Sequence, residues 1–238
     1  MQDEDRLNPP KASKGDKAHM LVRAAVSAVP YVGGPAAELF AAIVQPPMHR
    51  RMQAWMEEVA DCLRQLGSDR GVDLDELKDN DEFVDILLHA TQTAMRTSLE
   101  EKRAALRNAV VNTLLPNPPE AALRHMFVTW VDEFTEWHLR ILKLFQDPQA
   151  WAKQRDRRFA PAYGCDGLTK LIESAYPELR GKFVFCNRVW LDMSSRGLLE
   201  PEAFRLSDEE GDVGDKKCTT DLGDAFLSFI EDRFEGPV

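Results

Sequence analysis

No apolar stretch of this chain reaches the roughly 18 residues that a membrane-crossing helix needs, so a conventional transmembrane span is not expected. Cysteine is scarce. Cys62, Cys165, Cys186 and Cys218 form no Cys-x-x-Cys pair and no metal-type spacing, so the thiols read as reduced and mostly buried in a cytoplasmic protein. Positive charge is in deficit, with 30 Lys+Arg against 40 Asp+Glu and a formal net charge of -10, the wrong sign for a general nucleic-acid coat. Residues 1–10 are polar and carry Asp3, Glu4 and Asp5, which does not resemble a secretory signal.

Catalytic signatures are missing as well. There is no Gly-x4-Gly-Lys-Ser/Thr, no Gly-x-Gly-x-x-Gly, no Gly-x-Ser-x-Gly, no His-Glu-x-x-His and no Glu-x-x-His. Asp85 and His89 lie one helical turn apart, and Glu133 and Glu136 flank His138, but neither group supplies the three converging ligands that a metal needs. Cys186, between Phe185 and Asn187, reads as a packed thiol. No cofactor, metal or catalytic residue is expected, and the chain reads as a non-enzyme.

What is present is an ordinary acidic globular composition: 238 residues, 44% apolar and 29% charged, too apolar for a disordered tail. Residues 1–16 read as a mobile polar leader. Residues 17–150 read as an antiparallel helical bundle that begins with an apolar hairpin over 20–44, turned by Pro30-Tyr31-Val32-Gly33-Gly34-Pro35. Pro46-Pro47 should open a new helix with Met52, Trp55, Val59 and Leu66 on one face, stopped at Gly67. A long helix is expected from Asp81 to about Thr113, with a possible break near Ser98, whose spacing to Glu101 suits a capping box. Leu115-Pro116-Asn117-Pro118-Pro119 breaks the chain. A further helix over 120–146 carries Phe127, Trp130, Phe134, Trp137, Ile141 and Phe145 on one side, a stripe best read as core.

Beyond a boundary near Ala150–Ala160 the pattern changes. Val189-Trp190-Leu191, Arg196-Gly197-Leu198-Leu199-Glu200 and Thr219-Thr220-Asp221-Leu222-Gly223-Asp224-Ala225-Phe226-Leu227 resemble a winged-helix module. The resemblance covers the last third of the chain. It implies an all-α fold whose bundle is followed, over 163–238, by a small winged-helix-like domain with one short β-hairpin. From Tyr163 onward there are 16 acids against 9 Lys+Arg, and Asp208, Glu209, Glu210, Asp212 and Asp215 sit in the expected wing. Phosphate would repel that wing, and although the expected recognition helix offers Lys182, Arg188 and Arg196, Asp192 sits among them, so a protein partner, or packing on the bundle, is expected before DNA.

The turn Pro30–Pro35, the run Glu101-Lys102-Arg103-Ala104-Ala105-Leu106-Arg107-Asn108-Ala109 and the closing Thr-x-Asp-Leu-Gly run also resemble uncharacterised all-helical bacterial proteins of the abortive-infection, phage-defence type. That resemblance implies a helical effector or regulator and supplies no catalytic residues.

Two groups are candidate sites. Pro30, Gly33, Gly34 and Pro35 would be the hinge of a hairpin that either packs on the bundle or enters an anionic membrane, with Lys11, Lys14 and Lys17 ahead of it. Lys153, Arg155, Arg157 and Arg158 form a basic run that reads as a solvated linker or an anion-binding patch. The expected function is a cytoplasmic interaction or regulatory protein with a protein partner. The alternatives are a membrane-perturbing defence effector using residues 20–44, and a DNA-binding transcriptional regulator.

Overall fold

The computed structural model describes residues 35–159, 167–200 and 216–232. The leader, most of the apolar hairpin with Pro30, Gly33 and Gly34, and the acidic stretch 201–215 lie outside the described residues. The described residues form nine α-helices and no strand. The chain divides into two compact units, Met1–His49 and Arg50–Val238.

The first helix, α1 (Pro35–Arg70), begins at Pro35 and runs through Pro46 and Pro47 instead of starting there. Proline inside a helix removes an i→i−4 donor and crowds the carbonyl four residues back, at a cost of about 3 kcal/mol. The carbonyls of Ala42 and Ile43 therefore lose their usual donors, and the division between the two units falls at His49/Arg50, just beyond the pair. Nor does Gly67 end this helix. Gly71 does, at φ +68°, its N–H donating to the Gly67 carbonyl at 3.0 Å. Gly67 lies within the helix, where a Cβ would make ordinary contacts with the Val72 carbonyl at 3.4 Å and the Leu74 side chain.

A short 3-10 turn (Glu76–Asp79) leads to α2 (Asp81–Arg96), whose N-cap Asn80 accepts from the Phe83 N–H at 3.1 Å. The break before α3 (Glu100–Asn112) falls as expected, but its chemistry differs. The Thr97 hydroxyl accepts from the Leu99 N–H at 3.1 Å, while Glu101 reaches across to Arg140 and makes no capping box with Ser98.

The expected helix over 120–146 is two helices, α4 (Ala121–Glu133) and α5 (Glu136–Gln146). Phe134 and Thr135 are extended, and the Thr135 N–H donates to His138 Nδ1 at 3.1 Å. This histidine version of a capping box interrupts the amphipathic stripe without changing its period. The helix α6 (Pro148–Gln154) follows, capped by Asp147, which accepts from the Ala150 N–H.

The later segment comprises α7 (Gly167–Ala175), a 3-10 turn (Pro177–Leu179), α8 (Phe183–Ser195) and α9 (Asp221–Ile230). Gly197 at φ +73° closes α8 in a Schellman arrangement, with the Leu198 N–H on the Met193 carbonyl and the Gly197 N–H on that of Ser194. Among the described residues the region of the expected hairpin holds one antiparallel bridge, Leu199 to Thr219, and the rest of that expected hairpin, over 201–215, lies outside them.

One core joins the early and late helices. Phe226 and Phe229 of α9 lie 5.4 and 5.7 Å from Phe127 of α4, and Phe226 meets Trp130 and Phe134 edge-on. The aromatic stripe is interior apart from Trp137, which is half-buried. Asn112 of α3 donates to the Phe229 and Glu231 carbonyls at 2.8 and 2.9 Å, and Asn108 donates to that of Ile230 at 3.0 Å. These amides satisfy the otherwise orphaned C-terminal carbonyls of α9.

Candidate functional site

Three segments of the second unit meet at one corner: the first turn of α3, the α4–α5 joint, and the start of α8. Between them lies a groove of about 680 Å³. Its floor includes Phe134 and Thr135, Trp137 and Phe185 line its sides, and Lys102 and Lys182 supply its positive charge.

Lys102 occupies the apolar face of α3, in register with Leu99 and Leu106, and is only 7% exposed. Its ammonium donates to the Asp132 carbonyl, in the last turn of α4, at 2.7 Å. Burial lowers its pKa; the nearby Asp132 carboxylate opposes the shift and Arg96 adds to it. That carboxylate is ion-paired with Arg96. Of the other two acids at the groove, one is ion-paired. Glu133 pairs with Arg196 at 2.7 Å, and Glu136 lies in the field of Arg140.

Behind the groove, His138 is buried at the start of α5 and stacks on Phe134 at 4.7 Å. Because Nδ1 accepts from the Thr135 N–H, the neutral ring carries its proton on Nε2, which faces Asp192 of α8 at 3.6 Å. Burial lowers the His138 pKa, and the approach of Asp192 only partly offsets this. Asp192 is held by Arg188 at 2.9 Å. Arg196 lies over the Phe134 ring at 5.0 Å and is paired with Glu133. Glu101 and Arg140 lock α3 to α5 through a two-pronged ion pair, and Tyr176 donates to the Arg140 carbonyl.

The outer face of α8 is the largest apolar feature beside this corner. Val184, Arg188 and Leu191 follow one another at i, i+4 and i+7, with Phe183 alongside. Val184 is 82% exposed, Phe183 53%, Leu191 51% and the Arg188 side chain 72%. Arg180 and Lys182 are exposed just ahead of the helix.

The four residues of the basic run part company. All four are exposed, but Arg155 stacks on Trp151 at 4.3 Å and Arg157 donates to the Ala175 carbonyl at 2.9 Å. Pro35 forms the first residue of α1. His89 stacks on His125 instead of joining Asp85, and no group of three His, Cys, Asp or Glu side chains converges among the described residues. Cys186 and Cys218 are buried thiols, and burial pushes Cys218 up to about 11. Sequence reasoning grouped His138 with acids of its own helix, whereas its acidic neighbour comes from α8. It also overlooked Lys102, although a lysine in register with Leu99 and Leu106 was the available signal.

No family model, curated protein or solved structure matches the chain. No described helix is long and apolar enough to cross a membrane.

Proposed function

We propose that this protein is a non-enzymatic interaction module, and that the outer face of α8 docks an acidic, amphipathic segment of a partner protein. The observation that carries this reading is Val184, 82% exposed at the centre of a stripe with Leu191 and Phe183. Single exposed apolar residues need no explanation, but three on one short helix favour a binding surface. Charge complementarity selects the partner. Arg180 and Lys182 lie just ahead of the stripe and Arg188 within it, the last ion-paired with Asp192 at 2.9 Å. An acidic helix with apolar anchors would satisfy both features.

Helix, helix, antiparallel bridge and helix follow one another from α7 to α9, an order that supports a winged-helix-like use of the region. The apolar centre of α8 and the pairing of Arg196 with Glu133 favour protein over DNA as its target. The state of the buried titratable groups supports a non-enzymatic role. The Cys218 thiol, raised to about 11, holds almost no thiolate at neutral pH, and Nδ1 of His138 is engaged by its own backbone turn.

A photo-crosslinking residue placed at position 184, and in a control at the exposed Leu88 of α2, tests the reading in the cells that make the protein. The expected result is a discrete protein adduct from position 184 and not from 88, and the adduct peptide should be acidic. Nucleic-acid adducts, adducts of the chain with itself, or equal products from both positions would overturn it.

A further inference from the structure

The groove beside α8 has a feature that docking on the outer face does not use. An ammonium has three donors, and that of Lys102 makes one hydrogen bond, to the Asp132 carbonyl, while lining the groove from a site 7% exposed. A buried cation with incomplete partners is costly. The carboxylate beside it, Asp132, is taken by Arg96 and Glu133 by Arg196, while Glu136 lies in the field of Arg140, whose own ion pair is with Glu101. Lys182 at the rim adds a second positive charge. Two aromatic side chains line the groove: Trp137, held edge-on by Tyr176 at 5.6 Å with Arg140 over its ring at 5.0 Å, and Phe185 of α8. The volume, about 680 Å³, lies within the ordinary range for small-molecule sites.

We propose that this groove binds a small organic anion with a planar apolar body, its carboxylate received by Lys102 and Lys182 and its ring set between Trp137 and Phe185. The assignment does not depend on partner docking at α8. Phe185 and Lys182 belong to the segment that carries the docking face, so an occupied groove would sit directly beneath that surface. The aromatic walls supply the apolar contact area, and the ammonium supplies orientation and selectivity for an anionic group.

The test uses the full chain and two probes of nearly equal shape, 2-naphthoate and the uncharged 2-acetylnaphthalene, titrated by calorimetry with circular-dichroism melts as the folding control. Naphthoate is expected to saturate a single site, at least tenfold tighter than the ketone. Lys102→Met should weaken naphthoate at least tenfold and leave the ketone unchanged. Lys182→Glu, at the exposed rim, keeps the test open if Lys102→Met does not fold, and should weaken naphthoate threefold or more without affecting the ketone. Absence of saturable naphthoate binding to the native chain, equal affinity for the two probes, or variants that weaken both probes alike would overturn the proposal.

Discussion

At the scale of single residues, the closing Thr-Thr-Asp-Leu-Gly-Asp run is an architectural device. The Thr220 hydroxyl accepts from the Gly223 N–H at 3.0 Å as N-cap of α9 and donates to the Gly197 carbonyl at 2.6 Å. Burial raises the Asp224 carboxyl, but hydrogen bonds from Lys217, Thr219 and Gln146 outweigh it and hold the group below the usual range. Gly223 admits no side chain, because a Cβ would lie 2.3 Å from the Leu198 carbonyl oxygen. Gly223→Ala should therefore destabilise the fold by at least about 2 kcal/mol, read as a shifted urea midpoint. A midpoint equal to that of the native chain would show that the α8–α9 contact yields freely.

His138 gives a pH dependence of definite sign. Its folded pKa lies below the ordinary value of about 6.5, because burial outweighs Asp192, with Arg188 and Arg196 also disfavouring the charged ring. The unfolded chain then binds the proton more readily. Stability is complete above about pH 6.5 and falls as the pH drops through that value toward the folded pKa. Urea melts at pH 7.5 and 5.5 should show the loss, and His138→Gln should reduce it. His89, lowered by burial and by His125, contributes with the same sign, so part of the slope should survive in the variant.

At the scale of elements, periodicity located most helices because their buried faces are regular. The faces of α2, α7, α8 and α9 follow a spacing that the sequence displays plainly. Boundaries were harder wherever a local side-chain bond decided them. The break at Phe134–Thr135 depends on a histidine accepting from a backbone N–H, a role usually taken by Glu or Gln and therefore not visible as a capping box. Pro46-Pro47 reads as a helix start by local preference, yet the longer helix prevails. The candidate groove was illegible because its segments are thirty or more residues apart: Lys102 meets Asp132, and Phe185 joins them only once α8 is placed. Asn112 illustrates the same limit. As a polar residue near the end of α3 it looks unremarkable, but it terminates α9 through three carbonyls. Asn112→Ala should cost about 1–3 kcal/mol in a chemical melt, as buried carbonyls lose their donor. An effect below a few tenths would show that α9 ends without this support.

At the scale of the whole molecule, the helices after residue 163 share their core with those before residue 150. Phe226 sits against Phe127, Trp130 and Phe134, and Cys218 donates its N–H to the Phe145 carbonyl at 2.8 Å. A net charge of -10 on the chain leaves Arg180, Lys182 and Arg188 as a local exception around an exposed apolar stripe. An interface of this composition should form faster and more tightly at low ionic strength. The most direct measurement is a titration of the partner crosslinked at position 184, once purified, against the native chain and Val184→Glu at 50 and 200 mM salt. The account expects at least tenfold weaker binding for Val184→Glu, unchanged folding of that variant, and a weakening of the native complex at the higher salt. Equal affinity of the two proteins, or binding of the native chain indifferent to salt, would contradict a docking face built from Val184, Leu191 and the basic residues around them.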